Sequence, residues 1–111
     1  MIHVPQAIHD AKMIADFLCE VGKYKSAISA YQICLKVSQF CLGEFHPKVA
    51  DCYYSLAVAE EKQANFQIAQ EDAEKCLKLR QDAFGASTNC VEIADSYMLL
   101  GLLFKKQGYQ K

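Results

Sequence analysis

A spacing of 42 residues runs through the chain and constrains its fold more than any other feature. Tyr24, Ala27, Cys34, Leu35 and Gly43 recur as Phe66, Ala69, Cys76, Leu77 and Gly85, each pair 42 positions apart. Pro5 and Pro47, Ile14 and Leu56, and Ala15 and Ala57 keep the same distance. Self-similarity at a period of roughly 20–50 residues marks a solenoid, in which one supersecondary unit buries its apolar face only against the next copy. With 111 residues there is room for one such array, or for a piece of a longer one.

Within each copy the apolar spacing is helical. Ala11, Ile14, Ala15 and Leu18 give one face of a helix over about 7–21, with Pro5 in its first turn and Gly22 at its end. A second helix starts near Tyr24, carries Ala27, Ile28, Tyr31, Leu35 and Leu42, and stops at Gly43. His46 precedes Pro47 and is driven towards extended backbone, which separates this helix from the next. The third helix is expected from Pro47 to Gln63, the fourth from Phe66 to Phe84, and the fifth from Val91 to Gln107, with Thr88 or Asn89 as its cap. Gly108-Tyr109 then opens a sixth helix, and the sequence given ends at Lys111.

Short connections imply antiparallel neighbours. Small residues at matched places (Ala15, Ala57 and Gly101; Ala27 and Ala69) are expected to let paired helices approach closely, with Tyr24, Phe66 and Tyr109 plugging the gap to the next pair.

These residues resemble the tetratricopeptide repeat (TPR), a helix–turn–helix unit with the spacing W-x₂-L-G-x₂-Y…A-x₃-F. The first copy reads Ala11-x-x-Ile14-Ala15-x-x-Leu18, then Gly22-x-Tyr24-x-x-Ala27-x-x-x-Tyr31. The second reads Tyr53-x-x-Leu56-Ala57-x-x-Glu60, then Phe66-x-x-Ala69-x-x-x-Ala73. The third reads Tyr97-x-x-Leu100-Gly101-x-x-Phe104, then Gly108-Tyr109. The long period narrows the resemblance: Leu42-Gly-Glu-Phe-His-Pro-Lys-Val-Ala50 and Cys76-Leu-Lys-Leu-Arg80 are similar to segments of the 42-residue repeats of the kinesin light chain class. Where that class usually has asparagines, this chain has Tyr54-Ser55 and Met98-Leu99, which argues against an asparagine ladder. The resemblance implies an all-α solenoid of antiparallel helix pairs, a right-handed TPR superhelix of about two and a half repeats. Its units fall at about 5–43, 47–85 and, in part, 91–111 of one array over 1–111.

Several chemistries are disfavoured. A net charge of −1 supplies no basic field for nucleic acid or anionic membrane. The N-terminus lacks the basic and apolar regions of a secretory signal, and no stretch approaches the roughly 18 apolar residues of a membrane span. The expected location is therefore cytoplasmic, with cytoskeletal or ciliary association left open. His3, His9 and His46 are scattered, and the six cysteines show no C-x-x-C pair, so no metal site is expected. Most of the cysteines are expected to be reduced core filler. No catalytic residue and no cofactor are assigned.

What remains is the groove. In the family, the first helix of each pair lines a concave surface. The matching positions are His9, Lys12, Asp16 and Cys19 in the first copy. They are Asp51, Tyr54, Val58 and Glu61 in the second, and Asp95, Met98, Leu102 and Lys105 in the third. Lys12 fits the place of a carboxylate-clamping lysine, but Asp16 and Val58 stand where such a clamp needs asparagine. Tyr54, Val58, Met98 and Leu102 instead form an apolar track, flanked by Lys12, Asp16, Glu61 and Lys105. Either a partner segment docks an apolar anchor on this track, or these side chains only contact neighbouring helices.

The expected function is thus a non-catalytic scaffold that binds a protein or peptide segment. The alternative is a regulatory or assembly segment of a larger enzyme or of a cytoskeletal or motor complex. Finally, the fifth helix is apolar on most sides, from Tyr97 to Phe104. Leaving its large side chains uncovered costs roughly 1.5–3 kcal/mol each. The expectation is that further repeats follow this end, or that the chain self-associates through it.

Overall fold

The computed structural model describes residues 4–85 and 90–108. They form five helices in chain order: α1 (Val4–Glu20), α2 (Tyr24–Leu42), α3 (Pro47–Lys62), α4 (Phe66–Phe84) and α5 (Val91–Gly108). The helix positions agree with the sequence reading to within three residues at each end. The expected cap at Thr88 or Asn89 and Tyr109 of the expected sixth helix lie outside the described residues, and Gly108, expected to open that helix, instead ends α5.

Local chemistry sets the helix ends. His46 is extended, with φ −68° and ψ 142°, and its Nδ1 accepts the N–H of Lys48 at 3.1 Å. Pro47 follows at the first helical position, where no N–H is needed. Gly22 leaves α1 with φ +84°. The matching place after α3 is held by Ala64, with φ +63°, a left-handed conformation that costs a side-chain-bearing residue energy.

Each helix packs on its sequence neighbours, and α3 also touches α5. The body measures 51 × 35 × 19 Å. Its thin dimension is about two helix diameters, so α1, α3 and α5 form one layer and α2 and α4 the other. Small residues sit where helices cross most closely: Ala15, Ala27, Ala57 and Ala69 are completely buried. Around them, Tyr31, Leu56 and Ala59 join the first hairpin to the second, and Ala73, Leu99, Leu100 and Leu103 join the second hairpin to α5. Phe66 packs against this second cluster, as its plugging role requires, while Tyr24 is half-buried.

Three expectations need correction. Ile14 matches Leu56 in sequence, yet it is 60% exposed while Leu56 is buried. Leu56 is covered because α2 precedes α3, whereas no described helix precedes α1. Gly101 was expected at a close helix crossing, but it is exposed, and a Cβ built there meets nothing within 4 Å. The cysteines divide rather than acting mostly as filler: Cys34, Cys52 and Cys76 are buried, Cys19 and Cys90 half-buried, and Cys41 exposed.

Candidate functional site

The first-helix layer carries two adjoining clefts that share Tyr54 and Val58. One, of about 230 Å³, is lined by Asp16, Cys19, Tyr31, Tyr54, Ser55 and Val58. The other, of about 450 Å³, lies between α3 and α5 and is lined by Tyr54, Val58, Glu61, Lys62, Asp95, Met98, Leu99 and Leu102. Helical geometry explains the lining. Tyr54 and Val58 are i, i+4 on α3, and Met98 and Leu102 are i, i+4 on α5, so each pair forms a short ridge. Tyr54 and Val58 are half-buried against the core, while Met98 and Leu102 are 74% and 40% exposed. The α3 ridge is therefore partly spent on holding the array together, and the α5 ridge is open.

The expected site residues are only partly brought together. Tyr54, Val58, Glu61, Met98 and Leu102 line one cleft, and Asp16 lines the next. Lys12 is at the margin, its Nζ 3.3 Å from Asp16 Oδ2. Lys105 is exposed on α5 and lines neither cleft, and His9 is exposed on α1. Glu61 is not a free acceptor: it is buried, and Lys106 Nζ donates to its Oε1 at 3.1 Å. Asp51 is also engaged, accepting from Arg80 Nη2 at 3.1 Å.

Arg80 is the residue that the sequence reading missed. Its side chain is only 8% exposed. Nη1 donates to the carbonyl of Glu92 at 2.8 Å and to Ser96 Oγ at 3.0 Å. Its guanidinium carbon sits 5.0 Å from the centroid of the Tyr54 ring, within cation–π range. Arg80 thus fixes the cleft's aromatic wall from behind. It is the only arginine in the chain, which is the signal that could have marked it.

The surroundings of the clefts hold their two phenols and their thiol in the neutral form. Burial, then the nearby Asp95, pushes the Tyr54 phenol above its ordinary range, and Arg80 partly offsets this. Burial and the hydrogen bond to Asp16 raise the Tyr31 phenol well above its usual value. Burial likewise raises the Cys19 thiol. Thiol and phenols that hold their protons suit contact with an apolar or hydrogen-bonding segment better than proton transfer near neutral pH. Among the described residues, no group of three or more His, Cys, Asp or Glu could hold a metal ion. No helix there is long and apolar enough to cross a membrane.

A comparison with protein families agrees with the helical pattern. The tetratricopeptide repeat family matches residues 7–82. The chain therefore belongs to the tetratricopeptide repeat family, whose members are typically non-catalytic modules that bind other proteins. A search of the curated proteins finds no match.

Proposed function

We propose that this chain is a non-catalytic scaffold that holds a partner polypeptide along α1, α3 and α5. An apolar side chain of the partner seats between the Tyr54–Val58 ridge and the Met98–Leu102 ridge. The observation that carries this reading is the 450 Å³ cleft, with its open apolar ridge on α5 facing a half-buried aromatic wall on α3. Apolar anchors in concave sites, with a few polar groups at the rim, are the usual way such surfaces recognise short segments. Asp95 and Lys62 in the larger cleft, and Asp16 in the smaller one, would set the partner's orientation. The unit boundaries at 5–43, 47–85 and 91–111, and the likeness to the kinesin light chain class, belong to the same reading.

The test is selection of binders from a random peptide library on the whole chain, followed by titration of the best one. Tyr54→Asp and Leu102→Asp each place a charge in the cleft and should weaken the peptide at least tenfold while helical circular dichroism stays unchanged. Phe40→Asp, on the exposed side of α2, should leave it unchanged. Equal binding by all three variants rejects the cleft.

A further inference from the structure

Two thiols meet in the core where the first hairpin joins the second. Cys34 on α2 and Cys52 on α3 are both buried and free, with their sulfurs 3.7 Å apart. Ile8 of α1 covers the pair, its carbonyl accepting from Cys34 Sγ at 3.7 Å, and Leu35 and Leu42 pack beside it. Packing does not require both sulfurs. Where the second hairpin joins α5, Cys76 stands at the place of Cys34, and Ser96 precedes Tyr97 as Cys52 precedes Tyr53. Cys76 and Ser96 are completely buried, and Cys76 Sγ lies 3.5 Å from Ser96 Oγ. A hydroxyl thus serves the fold at that place. The second thiol of the first junction is a difference of chemistry.

We infer that Cys34 and Cys52 form a redox-sensitive lock: hydrogen peroxide converts them to a disulfide that ties α2 to α3, and a thiol reductant reopens it. An S–S bond of roughly 2.0 Å asks the two sulfurs to close by about 1.7 Å, which small rotations of both side chains supply. Cys52 Sγ donates its hydrogen bond to Cys34 Sγ. That bond pulls the Cys34 thiol down, against the effect of burial, and holds the Cys52 thiol up. Cys34 is therefore the nucleophile. Its thiolate attacks one oxygen of the peroxide, the O–O bond breaks, and hydroxide leaves. Cys34 is then a sulfenic acid, oxidised by two electrons. The Cys52 sulfur attacks Cys34 Sγ, the S–O bond breaks, and the hydroxyl departs with the Cys52 proton as water. The proton that Cys34 gave up converts the hydroxide to a second water, so two thiols and one peroxide give one disulfide and two waters. The covered site favours this oxidant: a molecule little larger than water needs a smaller local opening at Ile8 than a bulky disulfide does. Cys52 lies two positions before Tyr54, so the lock holds the helix that carries the aromatic wall of the clefts.

Differential labelling of the whole chain tests this. Exposed thiols of the native protein are blocked with iodoacetamide and peroxide is added. Remaining thiols are then labelled with N-ethylmaleimide in urea before peptide mapping. Cys34 and Cys52 should escape both labels and be recovered as one linked peptide pair, and dithiothreitol should return both thiols. The oxidised chain should melt at least about 5 °C higher. Cys52→Ser copies Ser96, whose hydroxyl donates to the carbonyl four residues back, so it should fold. Its melting point should not respond to peroxide, and dimedone should trap a sulfenic acid at Cys34. Ile8→Ala should speed the disulfide at least fivefold, whereas Leu103→Ala, which depletes the other end of the core, should not. Labelled Cys34 and Cys52 after peroxide, a bridge to any other cysteine, an unchanged melting point, no dimedone adduct at Cys34 in Cys52→Ser, or equal acceleration by both alanine variants (the signature of oxidation in the unfolded chain) would each overturn the inference.

Discussion

Arg80 Nη2 donates to Asp51 Oδ1 at 3.1 Å, and through this contact α4 grips α3 while the other guanidinium nitrogen grips α5. The matching place in α2 is Ser38, whose Oγ lies 3.9 Å from Cys52 Sγ. One junction is thus closed by a small buried pair and the other by a long charged side chain. Cys34 and Cys76 keep the same role in both: Cys34 Sγ is 3.7 Å from Cys52 Sγ, and Cys76 Sγ is 3.5 Å from Ser96 Oγ. The α4–α5 junction is therefore the more polar of the two, and it is the one that shapes the larger cleft.

Removing the arginine should loosen that junction. Arg80→Met keeps much of the buried stem but loses the hydrogen bonds. Ser96 still donates to the Glu92 carbonyl, and Asp51, half-exposed, is rehydrated. The expected loss is about 2 kcal/mol by urea denaturation, rising to about 3 kcal/mol for Arg80→Ala, which also opens a cavity. Losses within experimental error for both would show that the contact carries no weight in the fold.

Ala64 stands in the left-handed region at a place where the first hairpin has Gly22. A Cβ is disfavoured there by roughly 1–2 kcal/mol, part of which returns as the greater unfolded-state entropy of glycine. Ala64→Gly should therefore stabilise the protein by about 1 kcal/mol, seen as a higher denaturant midpoint. Destabilisation would mean that the turn after α3 is not left-handed.

The Tyr31 hydroxyl donates to Asp16, and both burial and that hydrogen bond raise its pKa above the ordinary 10.0. The unfolded chain therefore loses this proton first as the pH rises. The contribution is fully present below pH 10 and is lost progressively above it. Stability should fall through the alkaline range, and Tyr31→Phe should reduce that slope, leaving the part due to Tyr54 and to the raised thiols of Cys19, Cys52 and Cys76. At neutral pH the same substitution should cost about 1 kcal/mol, since the half-exposed Asp16 regains water. An unchanged alkaline slope in Tyr31→Phe would rule out the proposed linkage.

The helices were legible because their signals are local. Pro47 and His46 set a start, Gly22 and Gly43 set ends, and apolar spacing set the faces between them. Ala27 and Ala69 could be placed in the core because a small residue recurring at a fixed distance marks a crossing of helices. Ile14 could not be placed this way: its spacing identifies a face, but burial depends on whether another helix lies against that face. Arg80 escaped for a different reason. Its partners come from α3 and from two turns of α5, so no local pattern in α4 distinguishes it from a solvated side chain. At the cleft, the track of Tyr54, Val58, Met98 and Leu102 followed from the family's inward positions. The ion pair that occupies Glu61 did not, because Lys106 lies 45 positions away.

Chemical-shift mapping of a library-selected peptide on the isotope-labelled chain tests the account's main claim most directly. If stacked helix pairs leave a groove for a partner, the largest perturbations should fall on α1, α3 and α5, around Asp16, Tyr54, Val58, Met98 and Leu102. Perturbations confined to the outward sides of α2 and α4, around Ile33, Phe40 and Lys78, would contradict it.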